Sequence, residues 1–303
     1  LFRRAKEINP ANEDLRFYIG GAYVVQRKYG EALSEYEEAL RLAPDEIVIL
    51  AGLAQVFVLQ GNRKAAFERV QQHLAKTKNK AEVYQLLGQL SMDQQDYEQA
   101  RDYLEKAVAL KPDLFSAADL IARTYMAQKK FDQAIAESEK IIQKNPRSPQ
   151  SYMLLGMLYD QKQQYDQANR YYKKVLELDK NSTSAANNLA WNYAQYGGDL
   201  DAALTLAQKA RELNSNDENI AHTLGWIYYK KGLYLRATGL LEESSEKFKG
   251  RNPTVLYHLG LAYSKKGDNK LAKEALLKAL KLDQNFPEAK QAQQALDQIR
   301  KAG

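Results

Sequence analysis

The residues best suited to chemistry are three histidines, and their spacing gives little support for catalysis or metal binding. His73 falls at a position predicted to be packed, whereas His222 and His258 fall on neighbouring predicted helices. The chain has no cysteine, and no carboxylate stands at a ligand spacing from these histidines. Zinc sites combine several such ligands. We therefore expect no catalytic residue, no metal site and no cofactor, and we predict that the chain is not an enzyme.

A phosphate-binding loop is a second candidate, at the glycine pair Gly197-Gly198. No strand pattern precedes the pair, and no Lys-Ser or Lys-Thr follows it, as a phosphate loop requires. The spacing of the repeats described below instead predicts a turn that is one residue longer than usual. Glycine can adopt positive φ in such a turn and end a helix.

The elements that position these residues belong to a repeat of 34 or 35 residues. One set of small residues recurs at Gly20, Ala54, Gly88, Ala122, Gly156, Ala190, Gly225 and Gly260. Twelve or thirteen residues after each of them comes an alanine, at Ala32, Ala66, Ala100, Ala134, Ala168, Ala203, Ala237 and Ala272. Such a fixed period is typical of stacked repeats, since one unit cannot bury its apolar face alone.

Each repeat has the pattern of two helices. In residues 151–180, Leu155 and Tyr159 lie on one apolar stripe, Ala168 and Tyr172 lie on a second, and a polar break separates them. No useful period-2 segment predicts a strand. The fold class is therefore all-α, an α-solenoid of eight helix-turn-helix repeats.

The stretches "LGMLYDQKQQYDQANRYYKKVL" and "LGLAYSKKGDNKLAKEALLKALKLD" resemble the tetratricopeptide repeat family. The resemblance covers essentially the whole chain. It implies a right-handed superhelix of antiparallel helix pairs, in which the first helix of each pair lines a concave face that binds a partner. We expect a single superhelix over residues 1–303.

The two ends of the chain differ from the repeats. Residues 1–12 match only the closing helix of a preceding repeat, because Ala5 and Pro10 align with Ala39 and Pro44. We therefore expect that a repeat upstream has been cut away, and that the half-repeat allows self-association. Eight repeats follow over residues 13–286. Residues 287–303 are predicted to form a polar capping helix.

The first helices of the later repeats predict a binding surface. Their inner stripe is rich in large and amide-bearing side chains, and both tryptophans occupy the same repeat position. We predict that a protein or peptide partner contacts Met153, Met157, Asn187, Trp191, Asn219, His222, Trp226, Tyr229 and Tyr257. A polysaccharide is a further candidate, because sugars stack on indoles. The alternative interpretation is that both indoles only pack between adjacent first helices.

Nucleic-acid binding is not favoured, although the chain is basic. The net charge is +6 and the isoelectric point is about 9.1. Arg123 is the only permanent cation on the predicted inner stripe. A groove that follows a phosphate backbone needs several cations, so this stripe does not predict a nucleic-acid site. The positive charge lies instead on the second helices of the repeats and on the turns.

A narrower resemblance concerns residues 183–286, beginning with "NNLAWNYAQYGGDLDAALTLAQKA". This region is similar to the C-terminal repeats of bacterial envelope proteins associated with exosortase/PEP-CTERM sorting and exopolysaccharide export. The resemblance implies a scaffold or adaptor for envelope assembly, in the periplasm or cell envelope. A cytoplasmic location is the alternative, and so is a substrate-recruiting arm of a larger enzyme such as a protein glycosyltransferase. No run of 18 apolar residues predicts a membrane span.

Overall fold

The computed structural model describes residue 9 and residues 11–302, and this part of the chain contains helices and turns without any strand. Ala5 and Pro10, on which the predicted half-repeat depends, lie outside the described residues. The residue contacts divide the chain into two compact units, residues 1–146 and 147–303.

The first unit contains four antiparallel helix pairs. Its helices are α1 (Glu13–Val25), α2 (Tyr29–Leu42), α3 (Ile47–Leu59), α4 (Arg63–His73), α5 (Lys80–Asp93), α6 (Tyr97–Leu110), α7 (Phe115–Ala127) and α8 (Phe131–Lys144). Each helix packs against the next one along the chain. First helices of neighbouring pairs also touch one another, since α1 contacts α3 and α3 contacts α5.

The second unit contains four further pairs and a final single helix. Its helices are α9 (Pro149–Gln161), α10 (Tyr165–Leu178), α11 (Thr183–Tyr196), α12 (Leu200–Leu213), α13 (Glu218–Lys230), α14 (Tyr234–Lys247), α15 (Pro253–Lys266), α16 (Asn269–Leu282) and α17 (Ala289–Ala302). The predicted all-α array of eight pairs is therefore confirmed. The expectation of one superhelix over residues 1–303 stays a prediction.

The alanine column and the small-residue column hold each pair together. All eight alanines predicted from the spacing have no exposed surface. Opposite Gly156, the ring of Tyr172 lies so close that a Cβ atom at Gly156 would be 2.4 Å from Tyr172 Cε1. Leu104 and Leu276 fill the same space beside Gly88 and Gly260. A large side chain on the second helix thus occupies the hole left by a small residue on the first.

Side-chain caps and prolines set where several helices begin. Asp199 Oδ1 accepts from the backbone N–H groups of Asp201 and Ala202, and Asp217 caps α13 in the same way. Pro149 and Pro253 stand in the first turns of α9 and α15, where a missing N–H costs nothing.

A glycine of the pair ends α11 with positive φ, as predicted, but the prediction of a longer turn is wrong. The turn between α11 and α12 has three residues, as does the turn between α9 and α10, so the extra residue lengthens α11 instead of the turn. Gly197 ends α11 with φ of 92°. A Cβ atom at Gly198 would lie 2.5 Å from Tyr193 Cδ1, so both positions favour glycine.

The last helix, α17, covers the end of the second unit. Leu296 and Ala292 are buried against Leu276, Tyr257 and Phe286 of the preceding elements. The predicted cap is therefore present as a helix. Within the described residues, none of the helices is long and apolar enough to cross a membrane.

Candidate functional site

The predicted site residues all lie in the second unit, on its four first helices α9, α11, α13 and α15. The contacts of α13 with both α11 and α15 bring these helices side by side. The structure separates the predicted residues into two groups, an aromatic cluster between α11, α13 and α15, and a groove along α11.

Trp226 lies inside the aromatic cluster and is only 5 % exposed. Its ring stacks on His258 of α15, with centroids 3.7 Å apart, and on Tyr229 at 4.8 Å. Its indole N–H donates to Gln195 Oε1 of α11 at 2.8 Å. The prediction that Trp226 faces an open groove is therefore wrong, because the three first helices close around it.

His222 and His258 form a hydrogen-bonded pair beneath the two tryptophans. His222 Nε2 and His258 Nδ1 are 2.8 Å apart, so one ring must donate and the other must accept. Burial lowers the pKa of His222 to about 4, and burial also lowers the pKa of His258 well below its ordinary value. Both imidazoles are therefore neutral at pH 7.

Tyr257 and Tyr229 complete this cluster. Tyr257 is 8 % exposed and contacts Phe286, so it belongs to the packing between α15 and α17. Tyr229 is partly buried and lies between the rings of Trp226 and Tyr234. Burial raises the pKa of both phenols. Like Trp226, Tyr257 does not offer an open surface.

Trp191 has a different environment from Trp226. It is partly buried, and its ring contacts His222 and His258 at centroid distances of 5.2 and 6.0 Å. It also lines a depression of about 190 Å³ between α9 and α11, together with Met157, Asp160, Gln161, Tyr172 and Asn188. Trp191 and Met157 are therefore the predicted residues that reach this space.

Asp160 is held in that depression by neutral donors. Its carboxylate accepts from the Tyr172 hydroxyl at 2.5 Å and from Asn192 Nδ2 at 2.7 Å. Burial nevertheless raises the pKa of Asp160, even though both hydrogen bonds act to lower it. Asn192 Nδ2 also donates to Asn169 Oδ1 at 3.1 Å, which fixes the amide.

A second depression, of about 200 Å³, lies on the other side of α11. It is formed by the first turns of α11 and α13 and is lined by Thr183, Ser184, Asn187, Asn188, Asp217, Asn219 and Ile220. Asn187 Oδ1 is buried there without a hydrogen-bond partner. The predicted residues Asn187 and Asn219 therefore do come together.

We name these two depressions, which share Asn188, the α11 groove. Met153 does not line it, since its side chain packs with Met157 against Leu189 and Tyr172. Sequence reasoning missed Asp160, Asn188 and Asp217 as members of the groove. Asp160 falls on the same predicted inner stripe as Tyr229, so the repeat spacing could have identified its position. The spacing could not have shown that Asp160 is partly buried.

Larger depressions occur elsewhere and are less suited to a partner. One of about 730 Å³ on the first unit contains Arg41 and Arg69, whose guanidinium groups are already paired with Glu38 and Glu37. His73, which also lines it, hydrogen-bonds to the Pro44 carbonyl at 2.6 Å. Within the described residues, no group of three or more His, Cys, Asp or Glu side chains is placed to bind a metal.

Curated human proteins match part of the chain. Protein O-mannosyl-transferase TMTC1 is 34% identical over 95 residues, which is 31% of this chain and 11% of that protein. Mitochondrial import receptor subunit TOM70 is 29% identical over 121 residues, which is 37% of this chain and 20% of that protein. The matched region thus spans a fifth or less of each of these relatives.

Solved structures show the same fold. The crystal structure of the APC/C hetero-tetramer Cut9-Hcn1 matches with a TM-score of 0.69 and 19% identity, over 98% of this chain and 59% of that one. A tetratricopeptide repeat protein from Parabacteroides merdae matches with a TM-score of 0.58 and 18% identity, over 83% of this chain and 97% of that one.

Family profiles agree with the helix pairs and their period. Profiles described as tetratricopeptide repeat match residues 23–90, 91–158, 149–182 and 253–286. These matches cover more than half of the chain and follow the alanine and small-residue columns seen in the structure. The chain belongs to the tetratricopeptide repeat family.

Proposed function

We propose that this chain is a non-enzymatic scaffold that binds an extended segment of a partner protein along the α11 groove. Tetratricopeptide repeats mediate protein–protein interactions and are generally found in non-catalytic adaptors. The observation that supports the site is the pair of depressions on either side of α11, which meet at Asn188.

The chemistry of the groove suits recognition of a peptide. A carboxamide offers both a donor and an acceptor, which match the carbonyl and N–H groups of an extended chain. Asn187, Asn188 and Asn219 supply such groups on α11 and α13. Trp191 and Met157 add apolar surface at the other end, where an indole can act as an anchor.

Selection from a library of linear peptides displayed on phage tests this proposal. We expect enriched peptides to bind the full chain, and to bind the Asn187→Ala/Asn188→Ala variant at least about tenfold more weakly, a loss of 1.4 kcal/mol. The matched control is Asn181→Ala/Asn216→Ala, because both asparagines are exposed in turns between helix pairs. Circular dichroism confirms that each variant is folded.

Failure of the selection to yield any peptide that the groove variant weakens would contradict the proposal. A polysaccharide ligand is distinguished in the same assay. If the groove binds a polysaccharide, soluble glycans would compete for the groove, and peptides would not.

The proposed setting is the bacterial envelope, in assembly or export of protein or exopolysaccharide. The support is the resemblance of residues 183–286 to repeats of envelope proteins. Fractionation of the source cells with an antibody against this chain tests the location. Recovery with cytoplasmic markers would overturn the envelope setting while leaving the peptide-binding proposal intact.

A second candidate is the recruiting arm of a larger enzyme. The observation in its favour is the match to protein O-mannosyl-transferase TMTC1, whose name describes the transfer of mannosyl groups to proteins. The full-length gene product distinguishes the two candidates. A catalytic domain on the same polypeptide would favour the interpretation as a recruiting arm. The glycosylated substrates of that domain would then bind the α11 groove.

A further inference from the structure

The charges that line the α11 groove are both acidic. Asp160 lies in one depression and Asp217 in the other, and no lysine or arginine is among the residues that line either one. This is unexpected for a chain with 44 basic and 38 acidic side chains. The groove is therefore a locally acidic surface on a basic protein.

Asp160 has no counter-ion. Its two oxygens accept from Tyr172 and Asn192, which are both uncharged, and it forms no ion pair within the described part of the chain. Burial disfavours its charged form, as the raised pKa shows. A buried carboxylate without a partner cation is costly, and it is stabilised when one is supplied.

Trp191 stands beside this carboxylate with part of its indole open to the depression. An indole face attracts a cation within about 6 Å of its centroid. The chain already uses this contact at Trp226, where Lys230 Nζ lies 4.8 Å from the ring centroid. Trp191 has no such contact to a lysine or arginine among the described residues, so a cation from outside can take that place.

The other depression requires hydrogen-bond donors. Asn187 Oδ1 is buried without a partner. Asp217, which lines this depression, accepts from the backbone N–H groups of Asn219 and Ile220 through Oδ1 alone, so its second oxygen can accept from a ligand. Both groups accept hydrogen bonds, so a ligand rich in N–H donors satisfies them.

We propose that the α11 groove selects a partner segment that carries an arginine, whose guanidinium lies against Trp191 and pairs with Asp160. Arginine fits better than lysine, because its planar guanidinium stacks on aromatic faces and offers five N–H donors. The backbone N–H groups of the same segment reach Asn187 and Asp217 across α11. This inference rests on the proposed function and names the chemistry of its partner.

The test uses a matched pair of synthetic peptides on the full chain. Acetyl-Gly-Ser-Arg-Ser-Gly-amide and its citrulline counterpart differ by one charge at nearly identical shape. We expect the arginine peptide to shift the NMR signal of the Trp191 indole N–H, and to bind at least about tenfold more tightly than the citrulline peptide. Added salt weakens the arginine peptide more than the citrulline peptide, since screening acts on the ion pair.

Charge-removing variants locate the effect. Asp160→Asn is expected to reduce the preference for arginine over citrulline to less than about threefold. Asp217→Asn is expected to weaken both peptides alike, because Asp217 is assigned to the backbone N–H groups that the two peptides share, while an asparagine still caps α13. The control is Asp166→Asn, an exposed acid in the first turn of α10 that lies outside both depressions and changes the net charge equally. The control should keep the full preference.

Equal binding of the arginine and citrulline peptides by the unchanged chain would overturn this inference. That comparison needs no variant, so it holds even if Asp160→Asn does not fold. If library peptides still bind in the groove, the scaffold proposal survives and only the arginine preference fails. If no peptide binds there at all, the scaffold proposal itself fails.

Discussion

At the scale of single residues, the two tryptophans show how one repeat position acquires two roles. Trp191 and Trp226 occupy the same slot in consecutive repeats. Trp226 is enclosed because α15 presents His258 against its face, at 3.7 Å between ring centroids. Trp191 retains open surface beside Asp160. The neighbour that the next repeat supplies decides which indole is buried.

Replacing each tryptophan should separate stability from binding. Trp226→Ala removes a buried indole, its stacking contacts with two neighbouring rings and its hydrogen bond to Gln195. We therefore expect the free energy of unfolding to fall by about 3–5 kcal/mol. Trp191→Ala should cost less stability and should weaken groove-binding peptides. Urea denaturation followed by circular dichroism measures the first effect, and peptide titration measures the second.

Trp226→Phe is the matched control, because it keeps an aromatic ring and loses the N–H donor. We expect it to cost less than Trp226→Ala. A Trp226→Ala variant as stable as the unchanged chain would show that the aromatic cluster does not hold α11, α13 and α15 together.

Residue spacing predicted the stripe but could not predict its burial. The stripe placed Asn187 and Trp191 on one helix, and the structure brings both to the α11 groove. The same spacing predicted that Trp226 and Tyr257 would also contact a partner, although both are buried. Exposure depends on contacts with residues about 30 positions away, such as Gln195 with Trp226, which a single repeat does not contain.

At the scale of the helix pair, the small-residue column determines how closely the helices approach. Gly156 lies against the ring of Tyr172, which is fully buried and donates to Asp160. The same ring thus closes the pair α9–α10 and positions a carboxylate of the α11 groove. Packing inside one repeat is in this way coupled to the proposed binding surface.

Two glycine-to-alanine changes test this close packing and should change stability in opposite directions. At Gly156, a Cβ atom would lie 2.4 Å from the Tyr172 ring, so we expect Gly156→Ala to lower the free energy of unfolding by about 1–3 kcal/mol. At Gly239, an exposed position within α14, nothing lies within 4 Å. There alanine should raise stability by about 0.5–1 kcal/mol through helix propensity. Thermal and urea unfolding of both variants give the comparison.

If Gly156→Ala proves as stable as Gly239→Ala, the close approach between α9 and α10 is not needed.

The sequence predicted the small-residue column well, because the column recurs in eight repeats. It did not predict how the extra residue before Ala203 is accommodated. Helix α11 absorbs that residue because Gly197 can end the helix with positive φ, and spacing alone cannot distinguish a longer helix from a longer turn.

At the scale of the whole molecule, the aromatic cluster connects three successive repeats of the second unit. The pair His222–His258 joins α13 to α15, and Trp191 of α11 contacts both rings at centroid distances of 5.2 and 6.0 Å. Protonation of this pair therefore affects an array of helices and the wall of the α11 groove together. His73 lies in the other compact unit, where burial also lowers its pKa.

Stability of the chain should consequently depend on pH below neutrality. The pKa of His222 is lowered from 6.5 to about 4, and that of His258 is also lowered, by burial and by the nearby charges of His222 and Lys230. About one unit or more above pH 6.5, both histidines are neutral in the folded and unfolded chains, so the full stability is present. As the pH falls from 6.5 towards 4, the unfolded chain binds protons that the folded chain cannot, and stability is lost.

Urea unfolding at pH 7.5 and pH 5 measures this loss, which for His222 alone should be about 2 kcal/mol. The comparison chain is His222→Gln/His258→Gln, in which amides can still hydrogen-bond but do not titrate. Because other groups, His73 among them, titrate equally in both chains, the difference in pH dependence isolates the pair. The variant should lose clearly less stability on acidification than the unchanged chain. Parallel pH profiles for the two chains would mean that folding does not lower the pKa values of the pair, which would contradict its burial between α13 and α15.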